Sequence, residues 1–437
     1  MDWWVILILL MGGLVFLMLK GMPVAFAFLI ANLVAVVLLM GQSGTNQLVL
    51  SIYDSLTKFT LVPIPLFILM GEILFQSGLA NKTLDVLGKW LGSMRARLSV
   101  IAIISGAIFA NLSGSNIANT AMFGTLMVPE MRRQGYSKLM SLGPVMAAGG
   151  LAMIIPPSAL AVLLGSLGHI SIGKLLIAGI LPGILLAVLY IGYIVGHCFI
   201  DPSLAPVYKV ETAPWSEKIM LLVRDVLPLG LIVFLSIGLI FLGVATPTEA
   251  AALGALGSMV LARVYGKLDM TVLKKSFGGA MGVTAMTFMI LVGSAAFSQI
   301  LAFSGATRGL VEMVVGMALP AIVVLIMMQI IVLILGSFME QVSIMMITLP
   351  IFMPLVTVLK IDPIWFGVLM LINLDMGMLT PPFGMILFVM KGVAPKDVTM
   401  GDIIKAGLPF LILEGTAMAI IMIFPAIATV MPNVMLR

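Results

Sequence analysis

The chain has 437 residues, 62% of them hydrophobic and 9% charged, with a mean hydropathy of +1.24 and a net charge of +5. Such a balance excludes a soluble domain, and the continuously apolar segments exclude the alternating strands of a membrane barrel, which leaves a polytopic α-helical membrane protein in the lipid bilayer. Loop lysines and arginines that set topology account for the positive charge without nucleic acid, and the single cysteine, Cys198, excludes an internal disulfide.

Residues 3–19 form a first span that opens on two interfacial tryptophans and lacks the basic start and cleavage site of a leader. Spans follow at 23–40 and 60–78, and then residues 98–128 depart from the pattern. An apolar arm of 13 residues, Leu98 to Ala110, and a second of 8, Ala121 to Val128, flank the polar stretch Asn111 to Thr120. Thirteen helical residues reach only about 20 Å, short of a hydrocarbon core of about 30 Å. Arg95 and Arg97 stand outside one arm, and Arg132, Arg133 and Lys138 outside the other, so both ends face one compartment. The stretch predicts a re-entrant hairpin with a polar tip near mid-membrane, where non-helical backbone survives only if buried in protein or lining a cavity.

Further spans are predicted at 140–165 and 172–200. The stretch 201–225, which mixes Pro, Lys, Glu and Trp215, suits an interfacial connector. Spans at 226–244, 248–262 and 277–303 lead to a second broken region at 319–355, and then to spans at 363–390 and 406–432. Residues 81–97 and 306–318, rich in Gly and charge, read as interfacial arms leading into the hairpins. The organisation is therefore scaffold spans at 1–59 and 226–276, with repeat 1 at 60–200 and repeat 2 at 277–437.

Placing both termini outside puts 18 of the 23 basic residues inside; Lys58, Lys174, Arg308, Lys360 and Arg437 fall outside. The asymmetry requires both broken regions to be re-entrant. Gly71 to Gly114 and Gly293 to Gly336 are both 43 residues apart, and paired prolines follow at Pro156-Pro157 and Pro381-Pro382. In this topology the two halves enter from opposite sides. Inverted repeats with broken helices at the midplane describe secondary transporters.

The second tip is Gly336 to Gln341, with Ser337 and Glu340 on it. Each tip faces its own break, Pro156 to Ser158 in the first repeat and Thr380 to Pro382 in the second. Proline removes a backbone donor and frees carbonyls in mid-span. Carbonyls and hydroxyls without His or Cys suit a hard, weakly held cation such as Na⁺, and the returning helices present N-termini to a substrate carboxylate. Glu72, Glu249, Glu340, Asp375 and Glu414 are acidic residues within or beside apolar stretches, where such groups usually face the bundle interior. Glu340 and Asp375 fall near the second cation region, with proton coupling open to them. A structural hydrogen bond or a helix end suffices for Glu72 and Glu414, and a helix cap for Glu249 after Thr246. His169 and His197 make no metal pattern. No nucleophile–base–acid arrangement and no phosphate loop appears, so neither an enzyme nor ATP-driven transport is expected.

The stretch Ser113 to Tyr136, with Ile155 to Ser158, Ala245 to Ala251 and Leu379 to Gly384, resembles the large membrane subunit of TRAP transporters, the DctM-like family. The likeness runs over essentially the whole chain. It implies an all-α, ion-transporter-superfamily-like fold and a Na⁺-driven elevator in a bacterial cytoplasmic (inner) membrane that imports organic acids such as C4-dicarboxylates, sialic acid or other sugar acids. It further implies a small four-span membrane subunit, unfused at the N-terminus because two spans precede the first repeat, and a periplasmic substrate-binding protein. No cofactor is expected beyond Na⁺ as coupling ion. The family's first cation region maps onto Ser113, Gly114, Ser115 and Asn116 with Pro156, Pro157 and Ser158. Its second maps onto Gly336, Ser337 and Glu340 with Thr380, Pro381 and Pro382, and Asn119 and Thr120 become neighbours of substrate. Some relatives carry an acidic residue just after the Ser-Gly-Ser segment; here Asn116 and Asn119 are neutral. The rival reading is a self-sufficient carboxylate or ion transporter of the same architecture, coupled to Na⁺ or H⁺.

Overall fold

The computed structural model describes residues 2–79, 86, 88–92, 94–113, 116–206 and 214–435, and among these the regular structure is helical, with no strand. Helices satisfy their own backbone, which is the requirement lipid imposes. Six are long and apolar enough to cross a membrane: Phe59–Gln76, Ile172–Ile200, Trp215–Phe241, Met270–Phe303, Gln341–Val358 and Met400–Ile423. A seventh span arises if Lys138–Ile154 and Ala159–Leu167, bent by 45°, are taken together. Large apolar side chains such as Val37, Leu38 and Ile200 stay more than 70% exposed, as a lipid-facing surface requires.

The first helices are α1 (Trp3–Leu19), α2 (Val24–Ala35), α3 (Gly41–Thr57) and α4 (Pro63–Gln76). The predicted spans did not include α3, because its Gln, Ser, Thr and Asn residues make it read as a loop. It is a helix because it packs on the long α13 (Met270–Phe303), burying Leu48, Ser51 and Ser55, and because Ser55 donates its hydroxyl to the Ser51 carbonyl at 2.6 Å. Gly41, at φ +62°, lets the chain turn out of α2 into α3.

The first hairpin is made of α5 (Arg97–Ser113) and α6 (Asn116–Arg133). Its arms are 17 and 18 residues long, not 13 and 8, and most of the polar stretch is helical. Ser99 and Asn116 find buried partners outside the hairpin, the Met140 carbonyl and Asp375, while Thr120 and Thr125 bond within α6. The ends of the arms meet: the Leu98 N–H donates to the Tyr136 hydroxyl at 3.2 Å, and Tyr136 is buried just beyond the returning helix. Of the predicted arm at 81–97, residues 81–85, 87 and 93 lie outside the described residues; Trp90 stacks edge-on against Trp215 at 5.9 Å.

Two helices form the centre. In α7 (Lys138–Ile154) every residue from Met140 onward is buried, and in α17 (Pro363–Leu379) every residue from Phe366 onward. A helix that is apolar all round belongs inside a bundle. Each has 17 residues and each ends at a cis proline pair, Pro156-Pro157 and Pro381-Pro382. Beyond the breaks come α8 (Ala159–Leu167), α9 (Ile172–Ala178) and α10 (Ile180–Ile200), and in the second half α18 (Met385–Val393), α19 (Met400–Ile423) and α20 (Ala426–Val434).

Between the halves, α11 (Trp215–Phe241) reaches back into the stretch read as connector, held at its start by Lys89 and Glu217 at 2.7 Å. The connector is correspondingly shorter, and its residues 207–213 lie outside the described ones. Next comes α12 (Pro247–Val264), which opens on a reciprocal cap between Thr246 and Glu249; this accounts for Glu249 as a helix-end residue. In the second half α14 (Ala306–Gly316) precedes a hairpin of α15 (Ala321–Gly336) and α16 (Gln341–Val358). The tip of that hairpin lies on α17: a Cβ on Gly336 would stand 2.6 Å from the Gly377 Cα. Helix α15 runs parallel to α17, with Asn373 donating to the Gln329 carbonyl at 2.6 Å.

Candidate functional site

A cavity of about 430 Å³ opens beside α3 and α16, and another of about 470 Å³ lies where the two hairpin tips approach each other. Of the sequence-predicted site residues, Asn116 and Glu340 line the second. Hairpin 1 contributes Asn116 and Ile117, hairpin 2 contributes Glu340 to Ser343, and α8 contributes Ala159 and Leu160. The rest of the lining is mostly apolar and comes from α2, α4 and α13, Thr287 and Ile290 among them. Three helices, α6, α8 and α16, have their first described residues at this cavity, so their positive dipole ends lie beside it; the start of α8 is capped by Ser158.

Behind the cavity the halves are cross-linked. Asn116, the first residue of α6, donates its side-chain amide to Asp375 Oδ1 of α17 at 2.7 Å. Gln341, the first residue of α16, donates to the Met153 sulfur of α7 at 2.9 Å. With the offset that carries Pro156 onto Pro381, Asn116 falls on Gln341 and Gly150 falls on Asp375. Gly149 and Gly150 make the room: a Cβ on Gly149 would lie 1.8 Å from Asn116 Oδ1, and one on Gly150 1.4 Å from Asp375 Oδ2.

The cluster continues inward. The Asp375 carboxyl interacts with that of Glu414 on α19, and Tyr190 on α10 donates its hydroxyl to Glu414 Oε1 at 2.6 Å. Asp375, Glu414 and Tyr190 are all at most 1% exposed. The structural hydrogen bond expected of Glu414 is thus the one from Tyr190. Sequence reasoning placed Asp375 near the second cation region; its hydrogen-bond partner comes from the first hairpin.

The breaks have a common construction. Ser158 donates to the Met153 carbonyl at 2.7 Å and accepts from the Ala161 N–H at 3.1 Å, while Thr380 donates to the Met376 carbonyl at 2.7 Å. Each hydroxyl takes up a carbonyl near the interrupted helix end and keeps lone-pair capacity for a further partner. At the second break, Phe338 in the tip meets Phe383 at 5.4 Å between ring centroids, and Gly336 lies against Gly377, three residues before Thr380. Glu340 lies at the shared cavity, where Ser343 donates to its Oε2 at 3.4 Å.

At the first tip, Gly114, Ser115 and the Ser113 side chain lie outside what the structure describes. Asn119 and Thr120 are buried; the Thr120 hydroxyl donates to Asn116 Oδ1 at 3.4 Å and faces Gly149. Glu72 sits apart, between α4 and α13, where it accepts from Gln76 at 3.2 Å and lies against Gly279. Among the described residues no group of His, Cys, Asp and Glu could hold a transition metal.

The family model described as "Tripartite ATP-independent periplasmic transporter, DctM component" matches residues 11–427. The C4-dicarboxylate TRAP transporter large permease protein DctM of Pseudomonas aeruginosa is 31% identical over 400 residues, covering 91% of this chain and 92% of its own. The sialic acid TRAP transporter large permease protein SiaM of Vibrio cholerae is 28% identical over 427 residues, 96% and 97% of the two chains. In fold, the chain is similar to the crystal structure of the Alcanivorax borkumensis YdaH transporter, with a TM-score of 0.67, 15% identity and coverage of 88% and 89%.

Proposed function

The chain belongs to the DctM component family of tripartite ATP-independent periplasmic transporters, as a multi-pass membrane permease and not an enzyme, and on that premise we propose that it moves an organic acid through the cavity between its hairpin tips, driven by Na⁺. The observation that carries this reading is the cavity itself, walled by both tips, by the start of α8 and by helices of the N-terminal and central segments. Substrate held there would touch both hairpins at once. An elevator would then move hairpins, α7 and α17 as one body against the wall of α2, α4 and α13, in the manner of inverted repeats. The relatives named for C4-dicarboxylate and sialic acid support an organic acid as cargo. Family membership supports a small membrane subunit and a periplasmic binding protein as partners and an inner-membrane location, and the distribution of basic residues supports termini on the periplasmic side.

Na⁺ is read from the donor set: hydroxyls of Ser158 and Thr380, carbonyls at the two breaks, and Ser113 to Asn116 with Gly336 and Ser337. Reconstituted with its partners, the protein is expected to take up substrate only with an inward Na⁺ gradient. Undiminished uptake in Na⁺-free buffer under a proton gradient sinks this reading. One observation favours that alternative, the buried carboxyl pair of Asp375 and Glu414, which suits a proton as coupling ion. Ser115→Ala and Thr380→Ala are each expected to raise the Na⁺ concentration for half-maximal uptake about tenfold, the worth of one ligand at roughly 1.4 kcal/mol. No change in either variant means the cation regions lie elsewhere.

A further inference from the structure

An elevator, the reading on which this rests, has to break whatever bonds the second hairpin to the wall. In an α-helix each carbonyl accepts from the N–H four residues on, and proline has none to give. Pro350 therefore leaves the Met346 carbonyl of α16 without its helical partner. Ser294 of the wall helix α13 supplies the donor, its hydroxyl reaching that carbonyl at 2.7 Å. Ser294 is 2% exposed, so water does not stand in for it. The first half uses the same repair: Pro144 frees the Met140 carbonyl of α7, and Ser99 of α5 donates to it at 2.7 Å. The two differ in what they join. Ser99 and Met140 both belong to the body that an elevator moves, whereas Ser294 and Met346 lie on opposite sides of its boundary.

Both sides are braced at this point. On the wall, Asn32 of α2 donates to the Gly293 carbonyl at 2.7 Å, one residue before Ser294. Gly293 also lies hard against Phe28, where an added Cβ would stand 2.6 Å from the Phe28 Cβ. On the body, Gln341 ties the start of α16 to Met153 of α7. The bond sits at the edge of the cavity of about 430 Å³, which Ser294 and Pro350 both line. A buried acceptor left without a donor is costly, so the bond weights the position in which it forms. We propose that Ser294 is a positioning residue for transport: its bond to the Met346 carbonyl seats hairpin 2 on α13, and each cycle has to open it.

The test uses the full-length permease in nanodiscs, in a Cys198→Ala background, with spin labels on Phe303→Cys and Val358→Cys. These positions are the exposed far ends of α13 and α16. Pulsed electron paramagnetic resonance reads the distance between them, with and without Na⁺. Ser294→Ala is expected to raise the ratio of displaced to seated molecules by about fivefold or more. Ser294→Thr, which keeps a hydroxyl, is expected to restore the ratio. Pro350→Ala returns an N–H to the Met346 carbonyl and makes Ser294 redundant. It is expected to shift the ratio in the same direction, with Ser294→Ala adding nothing on top of it. Should Ser294→Ala alone fail to fold, the double variant, whose carbonyl has its donor, carries the test. Displaced molecules whose share is unchanged in Ser294→Ala overturn the proposal, as do effects of Ser294→Ala and Pro350→Ala that add; the elevator then stands. A single unchanging distance in every variant, with and without Na⁺, overturns the elevator and the seat together.

Discussion

Gly150→Ala is expected to abolish transport while Gly192→Ala leaves it intact. Both changes add one methyl group to a glycine inside a helix, where alanine is intrinsically better by up to about 1 kcal/mol. At Gly192 nothing lies within 4 Å of the new carbon. At Gly150 it would stand 1.4 Å from Asp375 Oδ2, so the carboxyl must leave, and with it the acceptor for the buried Asn116 amide. The tip of hairpin 1 then loses its bond to α17, and the cavity loses the wall that Asn116 forms. Uptake and thermal unfolding of the two variants in proteoliposomes check this. Normal uptake by Gly150→Ala means that the Asn116–Asp375 bond is dispensable.

Asp375 itself is the second case, and here two substitutions divide the effects. Asp375→Ala removes the acceptor and strands the Asn116 amide in a site that is 3% exposed, a loss of about 1–3 kcal/mol for the orphaned donor alone. Uptake is expected to fall at least tenfold, and the unfolding temperature to fall with it. Asp375→Asn keeps a carbonyl oxygen for Asn116 and so is expected to unfold near the unaltered protein. If its uptake nevertheless falls as far as that of the alanine variant, the carboxyl contributes chemistry that shape does not. If Asp375→Ala is as stable and active as the unaltered protein, the network does not join the hairpin to the centre.

Much of this was legible in one dimension. Spans announce themselves by hydropathy and both breaks by paired prolines. Helix α3 was not, because it is rich in polar residues and only the fold shows that Ser51 and Ser55 among them are buried. The length of the hairpin arms was misjudged for a related reason: Asn and Thr look like loop residues until the opposing Gly149 and Asp375 are known. The Asn116–Asp375 contact joins residues 259 apart, and no local pattern signals it. The proline pairs did hold a clue, since the offset that carries Pro156 onto Pro381, unlike the one that carries Gly114 onto Gly336, pairs Asn116 with Gln341, the two residues that each reach across to the other half. Tyr190 carried no signal, being one aromatic residue in a continuous apolar run.

The crossing of α7 and α17 has a consequence for how this sequence can drift. Position 150 and position 375 share one small volume, and at present a carboxyl on one side is answered by a bare backbone on the other. There is room there for one side chain. Two glycines would leave a hole, and two acids would collide and repel. The two positions are therefore free to change only as a couple, and the halves of the chain, however alike elsewhere, cannot become identical where they touch.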